Sequence, residues 1–250
     1  MVSEILRLTI EERRRLTHLI PEIVNGRGPV FASVGAESTA QAVTWAKEAE
    51  AADNDALMAI PPTHTGLSNQ DLTDYFTALA EATRLPLIVQ DASAYVGQSI
   101  PLSVLVGLLD QFGPEKILFK PEAAPLGPNL SSLRDATNGT AKIFEGSGGI
   151  LLVDSFRRGI TGTMPGMDLL DGIIEVWRAL QAGDDERAYE VYYPICALTA
   201  LQMQAGLDGF LAIEKHLLVK RGLFASDRRR RPYHWNLDSE TRDEVDRLFE

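Results

Sequence analysis

One cysteine and four histidines are all that 250 residues offer in thiol and imidazole groups, and each scarcity removes a class of explanation. A lone Cys196 cannot found a disulfide framework. Its neighbours Ile195, Ala197 and Leu198 fit a small buried apolar side chain in a reducing compartment. His18, His64, His216 and His234 show no paired ligand spacing, so no metal site is expected. No run is apolar for long enough to cross a bilayer. Residues 1–16 carry Glu4, Glu11 and Glu12 and no sustained apolar stretch, which argues against a signal or transit peptide and makes the cytoplasm the expected location. A net charge of -11 repels phosphate backbones and anionic lipid, so neither nucleic acid nor membrane is an expected partner. The one basic run, Arg228, Arg229, Arg230 and Arg231, reads as a solvated strip or a subunit contact.

What is present is core-forming material, 45% of the chain being hydrophobic, enough for one large α/β domain. Six short apolar runs, at 29–34, 56–60, 87–91, 117–120, 142–145 and 160–164, alternate with amphipathic stretches. This is the pattern of repeated βα units around a parallel sheet. The runs show little polar alternation, as strands covered on both faces do. Thr9 with Glu12, Ser38 with Gln41, and Ser68 with Asp71 have the spacing of helix-capping pairs. Gly183 and Gly222 stand where helices stop. Helices are expected at 185–201, 207–221 and 240–249. The chain divides into a (β/α) barrel at 1–181 and a helical extension of the same domain at 182–250. The predicted fold is an α/β TIM-type (β/α)8 barrel supplying about six strands, plus the C-terminal helical extension.

In a parallel barrel the reactive groups close the strands. Lys120 stands out among the closing residues because it ends the run Ile117, Leu118, Phe119, with apolar neighbours behind it. Desolvation disfavours an ammonium and so favours the free amine that attacks a ketone. Two structural alternatives stand beside this: a side chain that reaches solvent, or one that pairs with Glu122.

The stretch Ile117 Leu118 Phe119 Lys120 Pro121 Glu122 Ala123, followed by Gly127, Pro128 and Leu130, resembles the lysine strand of the dihydrodipicolinate synthase and N-acetylneuraminate lyase family. Gly26 Arg27, Pro29 Val30, Val34 Gly35 Ala36 and Ser38 Thr39 resemble that family's third strand and turn. Asp55 Ala56 Leu57 with Pro61 Pro62, Leu85 Pro86 Leu87 Ile88, and Gly159 Ile160 Thr161 Gly162 resemble its fourth, fifth and eighth strands. The resemblance covers nearly all of residues 1–224. It implies a homotetrameric TIM barrel with class I aldolase-type chemistry, in which Lys120 forms a Schiff base with a small 2-oxo acid and no cofactor is needed. The protonated imine serves as an electron sink.

The sequence departs from the family at two places. Gln90 and Asp91 stand where the family has a proton-relaying tyrosine and an asparagine, which leaves Asp91, Tyr95 or the substrate to carry the proton, since an amide cannot. Tyr95 stands where synthases have an arginine for a second carboxylate, which argues against aspartate semialdehyde as substrate. At the front, Met1 to Glu4 align with the end of the family's carboxylate-binding turn. Glu4 matches and Ser3 replaces a glycine, so a longer native product is expected. The expected substrate-binding set is Ser3, Glu4, His64, Glu145, Gly146, Gly148 and Thr163, with the glycine-rich turn after the fifth run supplying backbone amides. Its bland counterpart is turning room alone. The readings that follow are a Schiff-base lyase acting on pyruvate or a 2-keto-3-deoxy sugar acid, or a non-catalytic relative serving as a binding or assembly module. A phosphate-binding barrel isomerase is a third.

Overall fold

Each of the six apolar runs becomes a strand in the computed structural model, which describes residues 2–250. These are β1 (Phe31–Ser33), β2 (Ala56–Ala59), β3 (Leu87–Asp91), β4 (Ile117–Pro121), β5 (Phe144–Glu145) and β6 (Gly162–Thr163). The first four form one sheet in chain order with every neighbour parallel, and β5 pairs with β6. A parallel bridge from Phe119 to Ile143 carries the order on from β4. Helices α1 (Ile10–Val24), α2 (Thr39–Ala51), α3 (Asn69–Ala82), α4 (Leu102–Phe112) and α5 (Leu126–Ala136) fill the intervals. This is the βα alternation of an α/β barrel. Strands β1, β2, β5 and β6 are shorter than the apolar runs that predict them, whereas β3 matches its run and β4 extends one residue past it.

Residues 9–145 with 158–162 form one compact unit, and residues 2–8, 146–157 and 163–250 form the other. In the barrel unit the central strands are covered on both sides, while Phe31 of β1 is exposed. All five residues of β3 are buried, and Leu57, Leu87, Ile88, Ile117 and Phe119 are almost wholly enclosed. Each such side chain contributes about 1.5–3 kcal/mol of apolar burial. Helix α3 lays Leu72, Tyr75, Phe76, Leu79 and Ala80 inward, a stripe at helical spacing.

Two of the three expected capping pairs form. Thr9 and Ser68 each accept the N–H three residues on, and Glu12 and Asp71 reach back. Ser38 precedes α2 without a side-chain hydrogen bond. Its φ of -104° and ψ of 127° both differ from those of the working caps, -67° and 164° at Thr9 and -70° and 166° at Ser68.

The second unit is helical. It holds α6 (Leu152–Arg157), α7 (Leu170–Ala182), α8 (Asp185–Met203), α9 (Gly206–Lys220) and α10 (Ser239–Phe249). Helix α7 ends at Gly183 in the left-handed conformation, φ 73°. Leu198, Ile213, Leu217 and Val245 make a small apolar core with Trp235, Leu237 and Phe249 against it. Cys196 is half-buried rather than enclosed, because α8 presents its Sγ to the Ile150 carbonyl at 3.8 Å. The arginine run is tied down by its backbone: the Arg230 N–H donates to Glu4, the Arg228 carbonyl accepts from Lys215, and the Arg229 guanidinium lies 4.1 Å over the Tyr233 ring. Among the described residues no helix is long and apolar enough to cross a membrane.

Candidate active site

Strand register assembles the Lys120 group. Lys120 pairs with Gln90 across β3 and β4, and Glu122 lies two residues beyond Lys120. Side chains alternate faces along a strand, so Gln90, Lys120 and Glu122 share one face while Asp91 and Pro121 point to the other. The ladder extends past β4 through the Glu122 N–H, which donates to the Asp91 carbonyl at 2.8 Å.

On the shared face, Lys120 Nζ lies 2.8 Å from Glu122 Oε1, and Gln90 Nε2 donates to Glu122 Oε2 at 2.5 Å. Lys120 and Glu122 are 7% and 8% exposed, so the pair is nearly water-free. A buried ion pair is held against the cost of desolvation only when its geometry is good and its remaining oxygens are satisfied, and the Gln90 amide meets that need. The structure therefore joins two readings of Lys120 that the sequence left apart: the amine closes a strand in a buried setting, and it is paired with Glu122.

Tyr95 belongs to the same neighbourhood. Burial pushes its phenol up to about 12, and the negative charges of Glu122 and Glu145 push the same way. Glu145 closes β5 and is completely enclosed. The site is thus one ammonium, two carboxylates, a phenol and an amide, with the apolar strand residues Leu118 and Phe119 behind them.

Several expected site residues are employed elsewhere. Asp91, offered as a proton carrier, points away from Lys120; its carboxylate accepts the N–H groups of Ser93 and Ile100 and closes the loop between them. His64, with its side chain 86% exposed, turns to Glu37, whose carboxylate also accepts from the Thr63 hydroxyl and from both backbone N–H groups. Burial raises the Glu37 carboxyl, but the hydrogen bonds from Thr63 and His64 outweigh it and bring it down to about 2. Ser3 is exposed, and Glu4 is buried in the helical unit against Lys215 and the Arg230 N–H. Both of its carboxylate oxygens are occupied by these partners.

The glycine-rich turn has a packing reason. Gly148 and Gly149 have φ of 71° and 104°, and an added Cβ would meet Phe210 and Thr199 at the first and Ile195 and Ile173 at the second. Positive φ and helix contact both demand glycine there. Gly146 and Thr163 are half-buried. Glu122 is the site residue that sequence reasoning placed only as a structural partner. The signal for it was its i+2 spacing from Lys120, which puts two oppositely charged groups on one face of a strand end.

The sequence model of the Dihydrodipicolinate synthetase family matches residues 3–250. The chain belongs to that family. Its members are lyases and aldolase-type enzymes, and this dihydrodipicolinate synthetase family protein has their fold. Its structure superposes on a dihydrodipicolinate synthase from Bacillus anthracis with a TM-score of 0.86 at 23% identity, covering 99% of this chain and 82% of that one. A second dihydrodipicolinate synthetase structure, from Pseudomonas aeruginosa, gives 0.87 at 20% identity over 96% and 81%. In sequence, the chain is 28% identical over 240 residues to L-2-keto-3-deoxyarabonate dehydratase of Azospirillum brasilense, 92% of this chain and 74% of that protein. With the 4-hydroxy-tetrahydrodipicolinate synthase of Mesorhizobium japonicum it shares 30% identity over 138 residues, which is 55% of this chain and 42% of the synthase. The chain thus spans under half the length of that synthase.

Proposed function

We propose that the protein is a Schiff-base-forming lyase in which the Lys120 amine condenses with the ketone of a 2-oxo acid, with 2-keto-3-deoxy sugar acids as the substrate class. The observation that carries this reading is the ε-amine of Lys120 held at the end of β4, almost out of water, 2.8 Å from a carboxylate able to take its proton. A lysine placed there for stability alone is an expensive choice, because taking a charge out of water costs several kcal/mol per ion and an apolar replacement is often no less stable. An amine that must shed a proton and attack a carbonyl needs this kind of setting.

The substrate preference rests on charge. Glu122 and Glu145 both act on the Tyr95 phenol, so the neighbourhood already holds two carboxyl groups and the one ammonium of Lys120. A partner aldehyde bearing a second carboxylate would meet repulsion here, whereas the hydroxyls of a deoxy sugar acid can donate to those oxygens. The long alignment with a keto-deoxyarabonate dehydratase points the same way.

Borohydride reduction tests the reading. The full chain incubated with pyruvate, then reduced, should gain the mass of one reduced pyruvyl group, and peptide mapping should place it on Lys120. A 2-keto-3-deoxy sugar acid should give the same site of attachment and be consumed without reductant. Failure to label Lys120 with any of these 2-oxo acids would overturn the proposal.

A further inference from the structure

We infer that Glu122 is the acid–base group of this site, the residue that moves protons to and from the Lys120 nitrogen and the carbon next to the imine. The inference rests on the Schiff-base reading above and assigns the proton carrier within it.

Elimination and geometry agree. Of the polar groups gathered at the ends of β3, β4 and β5, Gln90 is an amide and does not titrate in water. Asp91 has its carboxylate on the opposite face, bound by two backbone N–H groups. The Tyr95 phenol, pushed up to about 12, keeps its proton and is a poor base near neutrality. Glu145 closes β5 and is completely enclosed. Glu122 touches the reacting nitrogen, through Oε1 at 2.8 Å. Its other oxygen is fixed by Gln90 Nε2 at 2.5 Å, so the carboxylate cannot rotate freely. Gln90 is in this sense a positioning residue, and its register pairing with Lys120 sets the distance.

The proton inventory closes with these groups and water. Lys120 ammonium passes one proton to Glu122, leaving an amine and a carboxylic acid. The amine's electron pair forms the N–C2 bond, and a second nitrogen proton moves to the former ketone oxygen. Glu122 returns its proton as the C2–O bond breaks, so water leaves, a protonated imine remains and Glu122 is again a carboxylate. That carboxylate then removes a proton from C3; the C–H electrons form the C2–C3 double bond of an enamine, and the imine π electrons settle on nitrogen. For a 3-deoxy sugar acid, the enamine pushes those electrons back to expel the C4 hydroxyl, which takes the proton from Glu122 and leaves as water. One C3–H and one C4–O bond break, one C3–C4 double bond forms, and no oxidant or reductant enters. Hydrolysis of the imine frees the product and the amine.

The test separates imine formation from proton removal. Pyruvate in D2O should exchange its C3 protons in the presence of the wild-type chain, read by proton NMR, while borohydride trapping reports the imine independently. In Glu122→Gln, the adduct on Lys120 should form more slowly but still reach the wild-type yield on long incubation, while C3 exchange of the formed imine falls by about 10²-fold or more, the usual contribution of a general base. Exchange at the wild-type rate in a folded Glu122→Gln chain overturns the inference while leaving the Lys120 reading intact. Absence of any adduct in the wild-type chain overturns both. Should the Gln variant fail to fold, Glu122→Asp keeps the charge balance and draws the carboxylate back by one methylene. A tenfold or greater loss of exchange at unchanged adduct yield is expected, given that a misplacement of ~1 Å can cost about 10²-fold, and wild-type exchange in that variant overturns the inference.

Discussion

Each of the two compact units buries a glutamine whose Nε2 donates to a carboxylate at 2.5 Å, and the third member of each group makes the difference. In the barrel unit Gln90 binds Glu122, and the partner is the Lys120 ammonium. In the helical unit Gln202 binds Asp168, and the group converging from α9 is a second carboxylate, Glu214. Both acids of the helical pair crowd Gly166, where an added Cβ would lie 2.8 Å from an oxygen of each. Opposite charges in a dry site can hold a proton ready for transfer. Like charges there drive one acid to stay protonated: burial, then the Asp168 charge, push Glu214 up to about 7. Burial therefore has opposite uses in the two units. In one it encloses an ion pair that the proposed Schiff-base reading uses to prepare a nucleophile, and in the other it makes stability depend on pH.

Lys120→Met applies the largest stress to this contrast. It removes the nucleophile and leaves Glu122 enclosed without its counter-ion, so turnover of a 2-keto-3-deoxy sugar acid should drop by at least ~10³-fold. Stability should fall by about 3–5 kcal/mol by urea denaturation at neutral pH. Retained turnover would break the comparison by making the two buried groups equally structural.

Next in size is Glu214→Gln. A carboxyl that ionises later in the folded chain than in the unfolded one favours folding fully below the unfolded value of 4.5 and loses that contribution as pH rises toward about 7. The loss amounts to about 3 kcal/mol at most. The variant should flatten the stability profile across this window and be the more stable chain above it, measured by urea unfolding at several pH values. An unchanged profile would mean that the like-charge pair relaxes at no cost.

The smallest expected effect sets the scale for the others. Ser68→Ala removes a capping box and should cost about 1 kcal/mol, whereas Ser38→Ala, whose hydroxyl caps nothing, should cost a few tenths at most. Thermal melts of the two variants side by side would show whether differences of that size are resolved in the barrel unit.

Much of the barrel was legible before any coordinates. Each of the six apolar runs holds a strand, α1 starts after the Thr9–Glu12 capping pair, and the helices expected at 185–201, 207–221 and 240–249 form at 185–203, 206–220 and 239–249. Lys120 was legible as the ammonium that closes an apolar run, while its position alone left solvent exposure and pairing with Glu122 open; the pairing is what the structure shows. The capping of α2 was not legible, since a serine at the right spacing works only if its backbone angles aim its hydroxyl. The partners of Asp91, Glu4 and His64 were not legible for a shared reason: sequence shows that an acid or imidazole closes a strand or a turn, but not which nearby N–H groups or charged groups pair with it.

The sequence by itself determined the alternation of strands and helices, and it placed a lysine at the end of a buried strand. Hydrophobic periodicity and strand order are one-dimensional properties that the chain carries openly. Only the tertiary structure decided which carboxylate faces that lysine, which acids are spent on backbone N–H groups, and which pair of acids is forced together around Gly166. Those outcomes depend on angles and separations between residues far apart in the chain, and the energy of a buried charge changes steeply over each ångström of separation.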